Sequence, residues 1–470
     1  MVFSGLTFLF YFFPLFFIVY YLLPKSYKNY WLLAGSIFFY AWGAPKFVFV
    51  LLASTVIDYY IVRQLYRATQ SNKKKWLITS ISLNLGLLAY FKYANFFADN
   101  VNTALSVFSI GSIPLPDVIL PIGISFYTFQ TLTYSIDIYR GNNKPLKSVS
   151  DYVLYIMMFP QLIAGPIVRF GEIAKQITSR VVSNQNIVEG FIRFCIGLGK
   201  KVLIANTLAV TADTIFNLSP NEWTTSVAWL GIILFTFQIY FDFAGYSDMA
   251  IGLGKMLGFK FPENFNAPYT SISITEFWRK WHITLGTFMR DYLYKPLGGN
   301  RSGVSSTYRN LFIVFLLSGL WHGASWNFVL WGVYHGAFLV FERLTGLSKS
   351  ISFRIPRILF TFIIVVLGWV VFRIDRTADA FTFYQNLFRL DFVPTIHLYH
   401  TKMLWLTSVA VLFSFFPATK IGKKWMSHFY NQDYRSPALL LYFSCAIVIL
   451  VLSIASLSTG SFNPFIYFRF

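Results

Sequence analysis

Apolar segments long enough to enter a bilayer recur along the whole chain, separated by short polar stretches. About 20 apolar residues cross a hydrocarbon core as a helix. The pattern predicts membrane-embedded helices at about 3–23, 29–43, 46–62, 76–93, 118–136, 152–168, 187–212, 226–251, 308–322, 325–341, 355–372, 403–417 and 438–457. Several of these are short enough to be re-entrant, so the expected number is about 11–13. No soluble domain of more than about 60 residues is left over.

One apolar run is unusual. No charged residue lies between Arg309 and Glu342. A fully helical run of that length measures about 48 Å at 1.5 Å per residue, too long for one straight span and too short for two. The cluster Gly319, Gly323, Ala324 and Ser325 predicts a break there. Irregular backbone at membrane depth survives only inside protein or beside a water-filled cavity. His322 sits at that break. An ionisable group at such depth is costly and marks a functional site by default. An inert, hydrogen-bonded histidine at the membrane–water boundary is the competing reading.

The stretch between Gly252 and Arg309 has a different pattern. After Pro262, Asn264, Asn266 and Pro268 comes Ser273-Ile-Thr-Glu276, the form of a capping box, which starts a helix. Phe277, Trp278, Trp281, Leu285, Phe288 and Tyr292 then share one face at 100° per residue, with Arg279, Lys280 and Arg290 opposite. This predicts one amphipathic helix lying in the membrane plane, with His282 at the edge of its apolar stripe beside Trp278 and Met289.

Composition removes the soluble alternatives. Only 12% of residues are charged and 56% are hydrophobic, against about 25% charged in a typical soluble protein. The chain is expected to be an all-α polytopic membrane protein. The net charge of +20 would suggest nucleic acid in a soluble chain. Here the basic residues lie in loops, as the positive-inside rule expects. Lys25 and Lys28, then Arg63, Arg67 and Lys73 to Lys75, then Arg140, Lys144 and Lys147 follow alternate spans, which places the N-terminus outside and no nucleic acid among the partners. The first segment has no basic start and no cleavage site, so it is expected to be a retained span. Cys195 and Cys445 lie in distant apolar runs and make neither a disulfide framework nor a zinc site.

Other motifs carry less. Gly199-Lys200 lacks the rest of a phosphate-binding loop, and Gly252-Leu-Gly254 lacks the third glycine of a dinucleotide fingerprint. Asp242 and Asp248 suit helix-linking bonds better than a proton relay. His335, His397, His400 and His428 are expected at interfaces, and on a continuous helix His335 would face away from His322. No internal repeat of the kind found in many transporters is visible.

Four stretches together resemble the membrane-bound O-acyltransferase family, in particular its alginate O-acetyltransferase subfamily. They run over 159–167, 238–252, 276–285 with 290–300, and 318–328, the third containing Glu276-Phe-Trp-Arg-Lys-Trp-His282 and the fourth Ser318-Gly-Leu-Trp-His-Gly-Ala-Ser-Trp-Asn-Phe328. The ending Asn463-Pro-Phe-Ile-Tyr-Phe-Arg-Phe470 resembles that subfamily too.

The resemblance implies a single domain with peripheral helices at 1–117, a catalytic core at 118–345 and C-terminal helices at 346–470, arranged as a funnel around a thinned centre. It implies that His322 is the catalytic histidine and that His282 lies at the same site. Trp321, Trp278, Trp281 and Asn327 would shape the substrate path. Arg279, Lys280 and Arg290 would meet the phosphates of the donor or anionic lipid. No metal is implied. The implied reaction moves an acetyl group from a cytoplasmic thioester, acetyl-coenzyme A, across the bacterial inner membrane to O-acetylate an exported polysaccharide such as alginate. The implied partners are a periplasmic or extracellular SGNH-like O-acetyltransferase, the exopolysaccharide export machinery and membrane lipids. Transfer of another acyl group, such as D-alanyl to teichoic acid, a transporter or flippase without chemistry, and a non-enzymatic export scaffold are the alternatives.

Overall fold

The computed structural model describes residues 1–114, 117–347, 353–393, 398, 400–431, 436–460 and 462–466. Among them the structure is helical throughout, and the only extended pairing is one antiparallel bridge between Phe265 and Trp281. Six described helices are long and apolar enough to cross a membrane: Phe47–Arg67, Gln70–Val107, Thr225–Met256, Arg354–Arg373, Thr401–Ala418 and Ala438–Thr459. The other predicted segments are also helical but shorter, kinked or more polar. The protein is an all-α polytopic membrane protein.

Two compact units are distinguishable. The first comprises Met1–Ser183 and Leu257–Phe261. Two of its helices differ from expectation. The segment expected at 76–93 is part of Gln70–Val107, a helix of 38 residues. It begins upstream through Lys73, Lys74 and Lys75, whose straight side chains suit a helix. The span expected at 152–168 is broken into Val149–Met157 and Phe159–Leu162. Pro160, near the start of the second piece, has no N–H to continue the ladder.

A buried carboxylate ties this unit together. Asp58 accepts from Ser80 Oγ at 2.6 Å, Asn84 Nδ2 at 2.9 Å and Tyr152 OH at 2.6 Å, which joins three helices. A carboxylate is tolerated in such an interior only when its oxygens are satisfied in this way.

The second unit comprises Asn184–Met256 and Pro262–Phe470. At its centre lies Thr225–Met256, 83% of whose most apolar window is buried. It packs against Asn184–Gly199, which continues through a π-helical turn, Lys200–Ala205, into Asn206–Phe216. Glycines permit the close crossing. A Cβ on Gly197 would meet the Gly245 carbonyl oxygen at 2.5 Å, and one on Gly252 would meet the Gly190 oxygen at 2.5 Å. Small residues at such contacts let the backbones approach where water cannot drive association.

Ion pairs fasten the same crossing. Asp248 meets Arg193 at 2.6 Å and Lys200 at 2.5 Å, and Asp242 meets Lys201 at 2.6 Å. Asp242 also accepts from the backbone N–H of Ile466 at 2.9 Å, and Lys201 donates to the Pro464 carbonyl. Both aspartates therefore link helices, and the C-terminal stretch is anchored to one of these pairs.

Two outcomes are expected on solubilised protein. Gly197→Leu should prevent recovery of a monodisperse folded species, whereas Gly86→Ala, where a Cβ meets nothing within 4 Å, should behave as the parent in gel filtration. Asp248→Ala leaves two cations without their shared carboxylate and should cost about 3–5 kcal/mol, read as a lowered thermal unfolding midpoint.

Candidate active site

All the residues of interest lie in the second unit. The helix Val304–His322 ends at His322, and Trp326–Leu344 starts four residues later. The break expected from the glycine cluster is present. Its helices are longer than the uncharged run suggested, at 19 residues each, because they extend past Arg309 at one end and Glu342 at the other. Charged side chains in terminal turns do not stop a helix, so the run of uncharged residues was not its boundary. The two helices return on each other at close range. Gly319 lies against the carbonyl of Phe328, and a Cβ on Gly332 would meet the Phe315 oxygen at 2.5 Å. Gly323 lies against the Phe328 ring.

This hairpin buries His322 in an aromatic box. Its ring lies 5.0 Å from Trp331 and 5.2 Å from Phe372, both edge to face. Trp321 is 4.9 Å from the His322 ring and 5.9 Å from the His282 ring. One indole therefore touches both imidazoles, which lie 40 positions apart in sequence.

His282 arrives by a different route than its periodicity suggested. The expected single amphipathic helix is three pieces: Ile274–Lys280, Ile283–Phe288 and a π-helical turn, Met289–Tyr294. The break falls at Trp281 and His282, and His282 has a φ of +46°. The cause is pairing with the 264–266 stretch. Asn266 N donates to Lys280 O, and Ile283 N donates to Asn264 O, both at 3.0 Å. This takes the Lys280 carbonyl and the Ile283 N–H out of the helical ladder. The left-handed conformation is uncommon for a residue with a Cβ and persists only where the surroundings impose it. His282 is fully enclosed, 4.8 Å from the Phe243 ring, with Nδ1 3.1 Å from Asn264 Oδ1. Burial lowers its pKa and favours the neutral imidazole.

Half of the expected capping box is present: Ser273 Oγ accepts from Glu276 N at 3.0 Å, whereas Glu276 accepts from Ile272 N at 2.9 Å, one residue before the cap. A second carboxylate completes it. Glu342, from the far end of the hairpin, accepts from Ile274 N at 2.5 Å, Thr275 N at 2.9 Å and Thr275 Oγ1 at 2.8 Å. The broken helix is thus clamped to the element that follows His322.

The remaining expected site residues fall into two groups. Trp278 and Trp281 belong to the aromatic wall. Trp278 lies 5.2 Å from Trp331, and Trp281 lies 5.0 Å from Trp369. Asn327 is occupied structurally, donating to Ile374 O and accepting from Thr377 Oγ1 at 2.7 Å. Among the basic residues, Arg279 is exposed. Lys280 pairs with Glu276 at 2.7 Å, and Arg290 with Asp291 at 3.1 Å.

His335, expected at an interface, is instead buried 4.9 Å from Trp278 and 5.0 Å from Trp331. Its helix, Trp326–Leu344, packs against both Ile274–Lys280 and Arg354–Arg373, which encloses it. His400 is exposed, His397 lies outside the described residues, and so does the side chain of His428. Sequence reasoning passed over Asn264, Glu342, Phe372 and Trp331 as site residues. Asn264 was visible only as part of a polar interruption, and Glu342 only as the end of an uncharged run.

The model of the membrane-bound O-acyltransferase family matches residues 143–374, which contain both histidines and the whole aromatic box. The "Probable alginate O-acetylase AlgI" of Pseudomonas putida is 40% identical over the full length of both chains. The chain belongs to the membrane-bound O-acyltransferase family. The "Peptidoglycan O-acetyltransferase" of Helicobacter pylori is 37% identical over 85% of this chain and 82% of its own. The "Teichoic acid D-alanyltransferase" of Bacillus subtilis is 29% identical over 55% of this chain and 70% of its own. The chain is therefore an O-acyltransferase, and the hairpin, the broken helix and the box between them lie inside the part that this family shares.

Removing the clamp tests how the site is held. Glu342→Ala strands two backbone N–H groups and should cost about 1–3 kcal/mol. Limited proteolysis within 262–303 should become faster, with little change elsewhere.

Proposed function

We propose that this O-acyltransferase moves an acetyl group from a cytoplasmic acetyl-coenzyme A thioester across the inner membrane for O-acetylation of an exported polysaccharide such as alginate. The observation that carries the reading is that the rings of His322 and His282 both lie within 6 Å of the Trp321 indole, 4.9 Å and 5.9 Å away, at a helix break. The full-length similarity to the Pseudomonas putida relative supports acetyl as the group and a polysaccharide as its destination. D-alanyl transfer is less well supported, because that relative matches over only 55% of this chain.

The chemistry is nucleophilic displacement at a thioester. A neutral hydroxyl attacks poorly, so a base must take its proton as the C–O bond forms. His322 is assigned that role. Its imidazole accepts the hydroxyl proton, the carbonyl becomes a tetrahedral oxyanion, and the C–S bond then breaks. The departing thiolate takes the proton back from His322, leaving an ester and a free thiol. The aromatic wall of Trp331, Phe372, Trp278 and Trp321 keeps water from the thioester.

His282 is the second polar group of the site. It either holds a substrate group or donates to the oxyanion. Arg279 and Arg290 are exposed cations on the broken helix, suited to the phosphates of the donor. The final transfer to polymer falls to a separate periplasmic SGNH-like transferase working with the export machinery. The N-terminus lies outside.

The test is acetyl transfer from labelled donor by purified protein together with acetyl analysis of the exported polymer. His322→Ala should be inserted and folded, yet lose transfer by at least about a hundredfold, the usual scale for a positioned base. His282→Ala should lose less. Near-normal transfer by His322→Ala would remove His322 as the base. Export of unacetylated polymer by that variant would separate the enzyme from a scaffold, and absence of any transfer by the parent would favour a transporter.

A further inference from the structure

The Asn264 side chain is buried within the second unit, and three groups converge on a single atom of its amide. Thr284 N lies 3.3 Å from that atom, Thr284 Oγ1 lies 2.9 Å away and His282 Nδ1 lies 3.1 Å away. The backbone N–H of Thr284 can only donate. An amide nitrogen at this position would set two donors against each other, so the atom is the carbonyl oxygen. That oxygen carries no proton. The hydrogen between it and His282 must therefore sit on Nδ1. In a neutral imidazole with a proton on Nδ1, the lone pair is on Nε2.

The backbone supports the same contact. Ile283 N donates to Asn264 O at 3.0 Å, and the left-handed conformation at His282 turns its ring away from the helical stripe and toward Asn264 and Phe243. One residue thus fixes both the orientation of the ring and which of its nitrogens is protonated. This is the usual division of labour between a histidine and the group bound to its other nitrogen.

We infer that Asn264 is a positioning residue that holds His282 as the Nδ1–H tautomer, so that Nε2 meets substrate as a hydrogen-bond acceptor and not as an oxyanion donor. The inference rests on the proposed acyl-transfer reading and decides between the two roles open to His282 there. The reacting hydroxyl has one proton, and it goes to His322. The group that His282 receives is therefore a different one: an O–H or N–H of the substrate beside the reacting centre. A hydroxyl adjacent to the acylated one, as in a polyol or sugar, fits that requirement, and so does an amide N–H of the thioester arm. Stabilisation of the oxyanion then falls to donors other than His282.

The experiment is nitrogen NMR on the full chain in detergent, with 15N-labelled histidine and the His282 signals assigned by their loss in His282→Gln. The expected spectrum has a protonated Nδ1 and an unprotonated Nε2. A protonated Nε2 in the parent protein overturns the inference. Two variants provide a second reading. Asn264→Gln keeps a neutral amide acceptor and should keep both the spectrum and kcat within a few-fold. Asn264→Leu removes it and should give mixed tautomers and a kcat lower by at least about tenfold, with KM for the thioester little changed. Equal kcat in Asn264→Leu and the parent also overturns it. The spectrum is read without turnover, so its outcome is independent of whether His322 is the base.

Discussion

Buried irregular backbone must find hydrogen-bond partners inside the protein, and that constraint organises this site. Residues 262–303 lie between membrane helices yet are neither a span nor a solvent loop. Their polar groups are met by specific side chains from elsewhere: Glu342 caps Ile274 and Thr275, and Asn264 receives Thr284 and His282. Without such partners, several stranded donors would each cost on the order of 1–3 kcal/mol, enough together to exceed the net stability of many domains. The break that presents His282 exists because its consequences are satisfied.

The second element of the design is close approach. Glycines bring the two helices of the hairpin together at Gly319 and Gly332, and the central helix against its neighbour at Gly197 and Gly245. In the first case the tight return packs His322 against Trp331 and Phe372. In the second the result is a rigid frame, locked further by Asp242 and Asp248 with their lysines and arginine. Carboxylates at membrane depth invite a functional reading, but here their full pairing makes them structural. His322 is packed against the rings of Trp321, Trp331 and Phe372.

Much of this was legible in the residues. The apolar segments, the Ser273 cap and a break near Gly323 all follow from local rules on hydropathy, capping and small residues, although the 152–168 stretch is broken and the helix expected at 76–93 runs over Gln70–Val107. Periodicity failed at His282. A helix-period stripe from Phe277 to Tyr292 is real, but two backbone bonds to the 264–266 stretch outweigh it. Sequence position also misled at His335, which was expected at an interface and is buried against Trp278 and Trp331.

The sequence by itself determined the class of the protein, the approximate place of each helix and the identity of the two histidines worth watching. These depend on composition and on spacings of a few residues, where physical preferences are local. Only the tertiary structure decided that Trp321 touches both rings, that Glu342 and Asn264 support them, and that the two aspartates are ties. Such relations join residues tens to hundreds of positions apart. They are set by which backbone donors the folded chain leaves to be satisfied and by how closely its helices can cross, and neither is written in any one segment.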